Sequence, residues 1–134
     1  MTYREKDLLL RQYREDTIRL IGLTKEAERW EQIAMSTAIT GEASGGGNAG
    51  GRVQTAATNA ADIIRDIQQD IRRVREERKK VRELVDSVLN RRQKMLLELR
   101  YINGLTVEQV ANQTNKSVKW TRESLRKAVD NLNI

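Results

Sequence analysis

The chain has 134 residues with 25 basic and 19 acidic side chains, a formal charge of +6, and no Phe, Pro, Cys or His. Without thiolate or imidazole ligands the usual zinc sites cannot be assembled, and no Ser/His or Cys/His nucleophile pair exists, so no enzyme, metal or cofactor is expected. Zero cysteine removes any disulfide framework, and the longest apolar runs, such as Leu8–Leu10 and Met95–Leu97, are too short for a signal-peptide core or a membrane span. A soluble cytoplasmic protein is expected.

The positive balance favours an anionic polymer as partner, and its distribution says where that partner binds. Residues 1–90 hold 16 basic and 15 acidic side chains, whereas residues 91–134 hold 9 basic and 4 acidic, so +5 of the +6 lies in the last third.

Leu9, Tyr13, Leu20, Leu23, Ala27, Trp30 and Ala34 recur at helical spacings and predict a first helix from about Tyr3 to Met35. "GEASGGGNAGG", Gly41 to Gly51, carries six of the eight glycines and no bulky apolar residue, which marks a flexible connector, taken as a loop over 41–52. Within it Gly45, Gly47 and Gly50 have the spacing of a dinucleotide-binding loop, but no strand feeds them, and linker composition produces such a match by chance. Beyond the connector, Ala60, Ile64, Ile67, Ile71, Val74, Arg78, Val81, Val85 and Val88 alternate at four and three residues, a heptad seam interrupted only by Arg78. A helix from about Thr55 to Asn90 follows. Its seam needs a partner, and the first helix is the natural one.

The expected class is all-α. Residues 1–90 should form a long antiparallel, coiled-coil-like helical hairpin that serves as an oligomerisation or interaction arm. Two hairpins would complete a four-helix bundle across a dimer axis, so a homo-oligomer, with a dimer favoured, is expected. The charged run Arg72–Arg82 is interleaved with Glu76 and Glu77 and reads as a solvated face. Pairs such as Asp66 and Asp70 lie on the same open helix, with no pocket to perturb their protonation.

From Arg91 the pattern changes. Met95, Leu96, Leu99 and Ile102 predict a short amphipathic helix, stopped at Asn103 and Gly104, with Gly104 suited to the left-handed position past its end. Thr106 and Gln109 have capping-box spacing and open a helix whose apolar face is Leu105, Val110 and Ala111. Thr114, Asn115 and Lys116 form a turn, and Ser117 caps a last helix from about Val118 to Leu132. The inner face of that helix comprises Thr121, Leu125 or Ser124, Ala128, Val129 and Leu132. Residues 91–134 therefore form a helix-turn-helix DNA-binding module that folds on its own and presents the segment from Val118 outward.

The geometry suits a duplex: the short helix braces on the backbone while the next lays its first residues on base edges in the major groove. The expected DNA-contacting residues are Lys116, Ser117, Val118, Lys119, Trp120, Arg122, Glu123, Arg126 and Lys127. Glu123 is suited either to accept from cytosine N4 or to pair with Lys119 one turn away, and Trp120 either to pack against the module's first helix or to lie on sugar and thymine methyl.

The run "LRYINGLTVEQVANQTNKSVKWTRESLRKAVDNL", Leu99 to Leu132, resembles region 4 of bacterial sigma-70 factors, which reads the promoter −35 element. The likeness lies in "GLT" followed by an acidic residue, in Val110 and Ala111, in Ser117 at the cap, in Arg122, and in Lys127, Ala128 and Leu132. "LRYINGLT", Trp120 after Lys119 and the long helical N-terminal part more specifically resemble phage-encoded late transcription regulators of the ArpU/RinA type. The resemblance implies promoter DNA as ligand and the host RNA polymerase as partner. It puts the base-reading positions on Val118, Lys119, Arg122 and Glu123. Val118 stands where that family usually has arginine and Glu123 where it usually has glutamine, which leaves the preferred sequence open. Nothing resembles the sigma region that melts DNA. A small terminase subunit for DNA packaging and a polymerase-binding protein that does not touch DNA are the competing classes.

Overall fold

The computed structural model describes the backbone of residues 1–41 and 49–134 and the side chains of residues 1–36 and 59–134. Of the glycine connector expected as a loop over 41–52, with its dinucleotide-like spacing, residues 42–48 lie outside the described residues, whereas Gly41 ends α1 and 49–52 are the first turn of α2, so the loop is shorter than expected. Among the described residues every regular element is helical: α1 (Tyr3–Gly41), α2 (Ala49–Asp86), α3 (Arg91–Leu97), α4 (Val107–Thr114) and α5 (Val118–Asp130). No helix among them is long and apolar enough to cross a membrane.

Packing divides the chain into two compact units, Arg19–Arg75 and a second formed by Met1–Ile18 with Glu76–Ile134. In the first unit Leu20 and Ala27 on α1, and Ala60, Ile67 and Val74 on α2, are buried, each set at heptad-compatible spacing.

The second unit contains the open end of an antiparallel hairpin together with α3 to α5. α1 starts on a reciprocal cap: the Thr2 N–H donates to the Glu5 carboxylate at 3.2 Å and the Glu5 N–H donates to Thr2 Oγ1 at 3.3 Å. Tyr13 and Thr17 on α1 meet Arg78 on α2, which explains the one cation in the seam. Arg78 donates to the Tyr13 hydroxyl at 2.9 Å and to Thr17 Oγ1 at 3.1 Å, and its guanidinium sits 4.7 Å from the Tyr13 ring centroid. Arg78, Tyr13 and Thr17 thus satisfy one another, so the cation pins register at a small desolvation cost.

α2 ends at Asp86, four residues short of the expected Asn90. The reason is local: the Ser87 hydroxyl turns back onto the Leu84 carbonyl at 2.6 Å, and Asn90 is needed as the cap of α3, its side chain accepting from the Gln93 N–H at 3.0 Å. α3 then widens into a π turn over Glu98–Ile102, closed by the Asn103 N–H on the Glu98 carbonyl at 2.8 Å. That turn, and packing on two sides, change the face expected here. Met95 is 43% exposed, Leu99 and Ile102 are half-buried, and the side chains taken fully inside are Leu96, Leu97 and Tyr101.

α3 is buried on two sides because it lies between two apolar clusters. On one side Leu97 and Tyr101 join Leu10 and Tyr13 of α1, Val81 and Val85 of α2, and Ala128, Val129 and Leu132 at the end of α5. On the other, Leu96 packs with Val110 of α4 and Leu125 of α5, flanked by Leu99, Leu105, Val107 and Trp120. The open end of the hairpin and the C-terminal helices therefore share one core.

Candidate nucleic-acid interface

The turn before α4 follows the sequence closely. Gly104 adopts φ +71, the left-handed position that favours glycine, and a Cβ there would also fall 2.5 Å from the Arg14 guanidinium. Thr106 and Gln109 complete the capping box, the Gln109 N–H donating to Thr106 Oγ1 at 3.2 Å and the Thr106 N–H to Gln109 Oε1 at 2.9 Å. α4 ends as Asn115 turns left-handed at φ 54, where asparagine is tolerated better than most residues, and the Lys116 N–H closes the turn on the Ala111 carbonyl at 3.0 Å. Ser117 caps α5, its Oγ accepting from the Trp120 N–H at 3.0 Å.

α5 is sharply two-faced. Thr121, Leu125, Ala128 and Val129 are buried, and Thr121 satisfies its hydroxyl on the Ser117 carbonyl at 2.8 Å. Ser124 is half-buried, so Leu125 is the position that fills the core. The opposite face leaves Val118, Lys119, Arg122, Glu123, Arg126 and Lys127 exposed, with Lys119, Arg122 and Arg126 in one stripe at spacings of three and four. Lys116 and Ser117 are exposed at the start of the helix.

Trp120 is half-buried against the Leu96, Val110 and Leu125 cluster, with the Lys116 ammonium 5.3 Å and the Arg92 guanidinium 5.9 Å from its ring. The indole thus rests on core while two cations stand over it. The Arg122 guanidinium lies 3.8 Å from the Glu108 carboxylate of α4, an exposed pair worth less than about 1 kcal/mol and easily exchanged for another anion.

Arg92, Glu108 and Tyr3, over whose ring Arg126 lies at 5.1 Å, adjoin these residues and were not read from the sequence. Their sequence distance from α5 conceals the contact: Arg92 and Glu108 reach it through the turns between α3, α4 and α5, and Tyr3 through the core that α1 shares with the end of α5.

Two helices joined by a short turn, the second buried on one face and cationic on the other, define the class of helix-turn-helix DNA-binding modules. Residues 87–133 match the family described as sigma-70, region 4. The match begins in the loop before α3 and takes in α3, α4 and α5, about a third of the chain, so this segment is a sigma-70 region 4-like helix-turn-helix. Comparison with curated proteins returned no match, and comparison with solved structures returned none.

Proposed function

We propose that the protein is a sequence-specific transcription regulator that docks α5 in the major groove of promoter DNA. The observation that carries this reading is the exposed stripe of Lys119, Arg122 and Arg126 on a helix whose other face is wholly committed to the core. Val118, Lys119, Arg122 and Glu123 at the start of the helix are the proposed base readers. Lys116, Ser117, Trp120, Arg126 and Lys127 flank them and fit phosphate and sugar contacts. The resemblance of Leu99–Leu132 and of the long helical N-terminal part to phage-encoded late regulators supports a role in late phage gene expression, in the bacterial cytoplasm, with the host RNA polymerase as partner.

Arg122→Ala is expected to cost about 1–3 kcal/mol on the preferred sequence and much less on random DNA. Arg126→Ala is expected to weaken all sequences alike and lower the salt slope by about one. Both are read by fluorescence anisotropy on the sequence enriched from DNA fragments retained by the protein. Equal losses from Arg122→Ala on preferred and random duplexes would remove the claim of base readout.

The arm is proposed to pair two chains. Leu8, Ile18, Ile21, Ile33 and Met35 of α1 are all more than 40% exposed, apolar side chains that a second chain would cover. Light scattering is expected to give the mass of a dimer. A monomer at all concentrations overturns this, and a ring of eight or more chains points instead to DNA packaging.

A further inference from the structure

The cationic surface does not stop at α5. A concavity beside that helix is lined by Arg122 and Arg126 from α5, by Arg100 from the π turn of α3, and by Arg11 from α1. A second, adjoining hollow shares Arg11 and Arg100 and adds Arg14 together with the acidic Glu15. Two of these five guanidiniums, those of Arg11 and Arg14, lie on the N-terminal arm, 86 or more residues before the others in sequence.

Arg11 and Arg100 are held in place by the protein. Arg11 engages Asp7 through Nε at 3.0 Å, and that same carboxylate accepts the Tyr101 hydroxyl at 2.6 Å. Burial, with the Asp7 carboxylate beside it, pushes the Tyr101 phenol well above its usual range, so it stays a neutral donor and Asp7 stays oriented. Arg100 donates to the Leu105 carbonyl at 2.9 Å, and Arg14 lies on Gly104, where any side chain would displace it. Among the described residues no carboxylate lies within ion-pair distance of Arg14, Arg100 or Arg126.

Five arginines against the three carboxylates of Asp7, Glu15 and Glu108 leave an excess of positive charge, and their planar forks match phosphate oxygens. A duplex seated on α5 carries one charge per about 1.7 Å of axis, so a cationic strip continuous with α5 meets the same polyanion.

We propose that α1 is part of the DNA-binding surface, with Arg11 and Arg14, continued by Arg100, gripping backbone phosphates beside the groove that α5 enters. This rests on the DNA-binding reading above. It assigns the N-terminal arm a direct share in binding besides joining chains, and it makes the footprint wider than that of the C-terminal helices alone.

The test is the salt dependence of the full-length protein on a random-sequence duplex, followed by anisotropy. The doubly substituted Arg11→Gln, Arg14→Gln protein is expected to bind about tenfold more weakly, with the slope of log K against log salt shallower by about 1.8, since each phosphate contact contributes about 0.9. The Arg11→Lys, Arg14→Lys protein, which keeps both charges, restores most of that slope, an effect that a merely structural defect would not produce. An unchanged slope in the glutamine variant, while the parent protein binds DNA, overturns the proposal and leaves the strip to an acidic protein partner. A parent protein that binds no duplex overturns the DNA-binding reading itself.

Discussion

A fragment comprising residues 91–134 is expected to show no cooperative thermal transition and little of the helicity it has in the whole chain. In the intact protein Leu97, Tyr101, Ala128, Val129 and Leu132 are buried against Leu10, Tyr13, Val81 and Val85, all of which the fragment lacks. Re-exposing a large apolar side chain costs about 1.5–3 kcal/mol, so uncovering three or four of them equals the whole stability of a small domain, about 5–15 kcal/mol. The fragment also loses the Asn90 cap of α3, and at a little over forty residues it sits near the lower limit for a domain without disulfides or metal. Far-UV circular dichroism through a melt decides the matter. A sharp transition from the fragment alone would mean that the cluster of Leu96, Val110 and Leu125 suffices. A chain lacking only Arg19–Arg75, with a short turn joining Ile18 to Glu76, keeps every residue of the shared core and is expected to fold.

Lys6→Met is expected to destabilise the protein by about 2 kcal/mol, the range for removing hydrogen bonds from a charged donor to buried carbonyls. Lys6 is 92% buried, and its ammonium donates at 2.9 Å to both the Asp130 and the Leu132 carbonyls. These groups close the C-terminal end of α5, where a helix has no amide donors of its own and its dipole favours a cation. Methionine keeps the length of the stem and its packing but leaves both carbonyls without the ammonium. Urea unfolding measures the loss. If Lys6→Met is as stable as the parent protein, water replaces the ammonium and the contact is incidental. Because Lys6 ties the start of α1 to the end of α5, the same variant is expected to loosen the placement of the recognition face and weaken DNA binding beyond its effect on stability.

Much of the local structure was readable from residues that act within one turn of themselves. Gly104, the Thr106–Gln109 box, Asn115 and Ser117 all behave as their chemistry dictates, since a cap or a left-handed turn needs only its own neighbours. The apolar face of α5 was likewise legible, because a helix standing at the surface has a single buried stripe. The reading failed at α3, where one-sided amphipathicity was assumed. That helix is covered from both sides and carries a π turn, so Leu97 and Tyr101, which a single stripe leaves outside, are buried together with Leu96 of the expected face. Lys6 was missed on α1 because a charged residue next to an apolar stripe ordinarily points to water. Its partners are carbonyls more than 120 residues away.

By itself the sequence determined that the chain is helical, where the helices of the C-terminal part begin and end, and that a helix with a cationic face follows a short turn there. These follow from periodicity, capping and charge, which are short-range. Only the tertiary structure decided that the hairpin's open end and the C-terminal helices close over one core, and that Arg11 and Arg14 of the first helix stand beside Arg100, Arg122 and Arg126. Such neighbours are brought together by burial of apolar area, which is non-directional and carries no spacing signature along the chain.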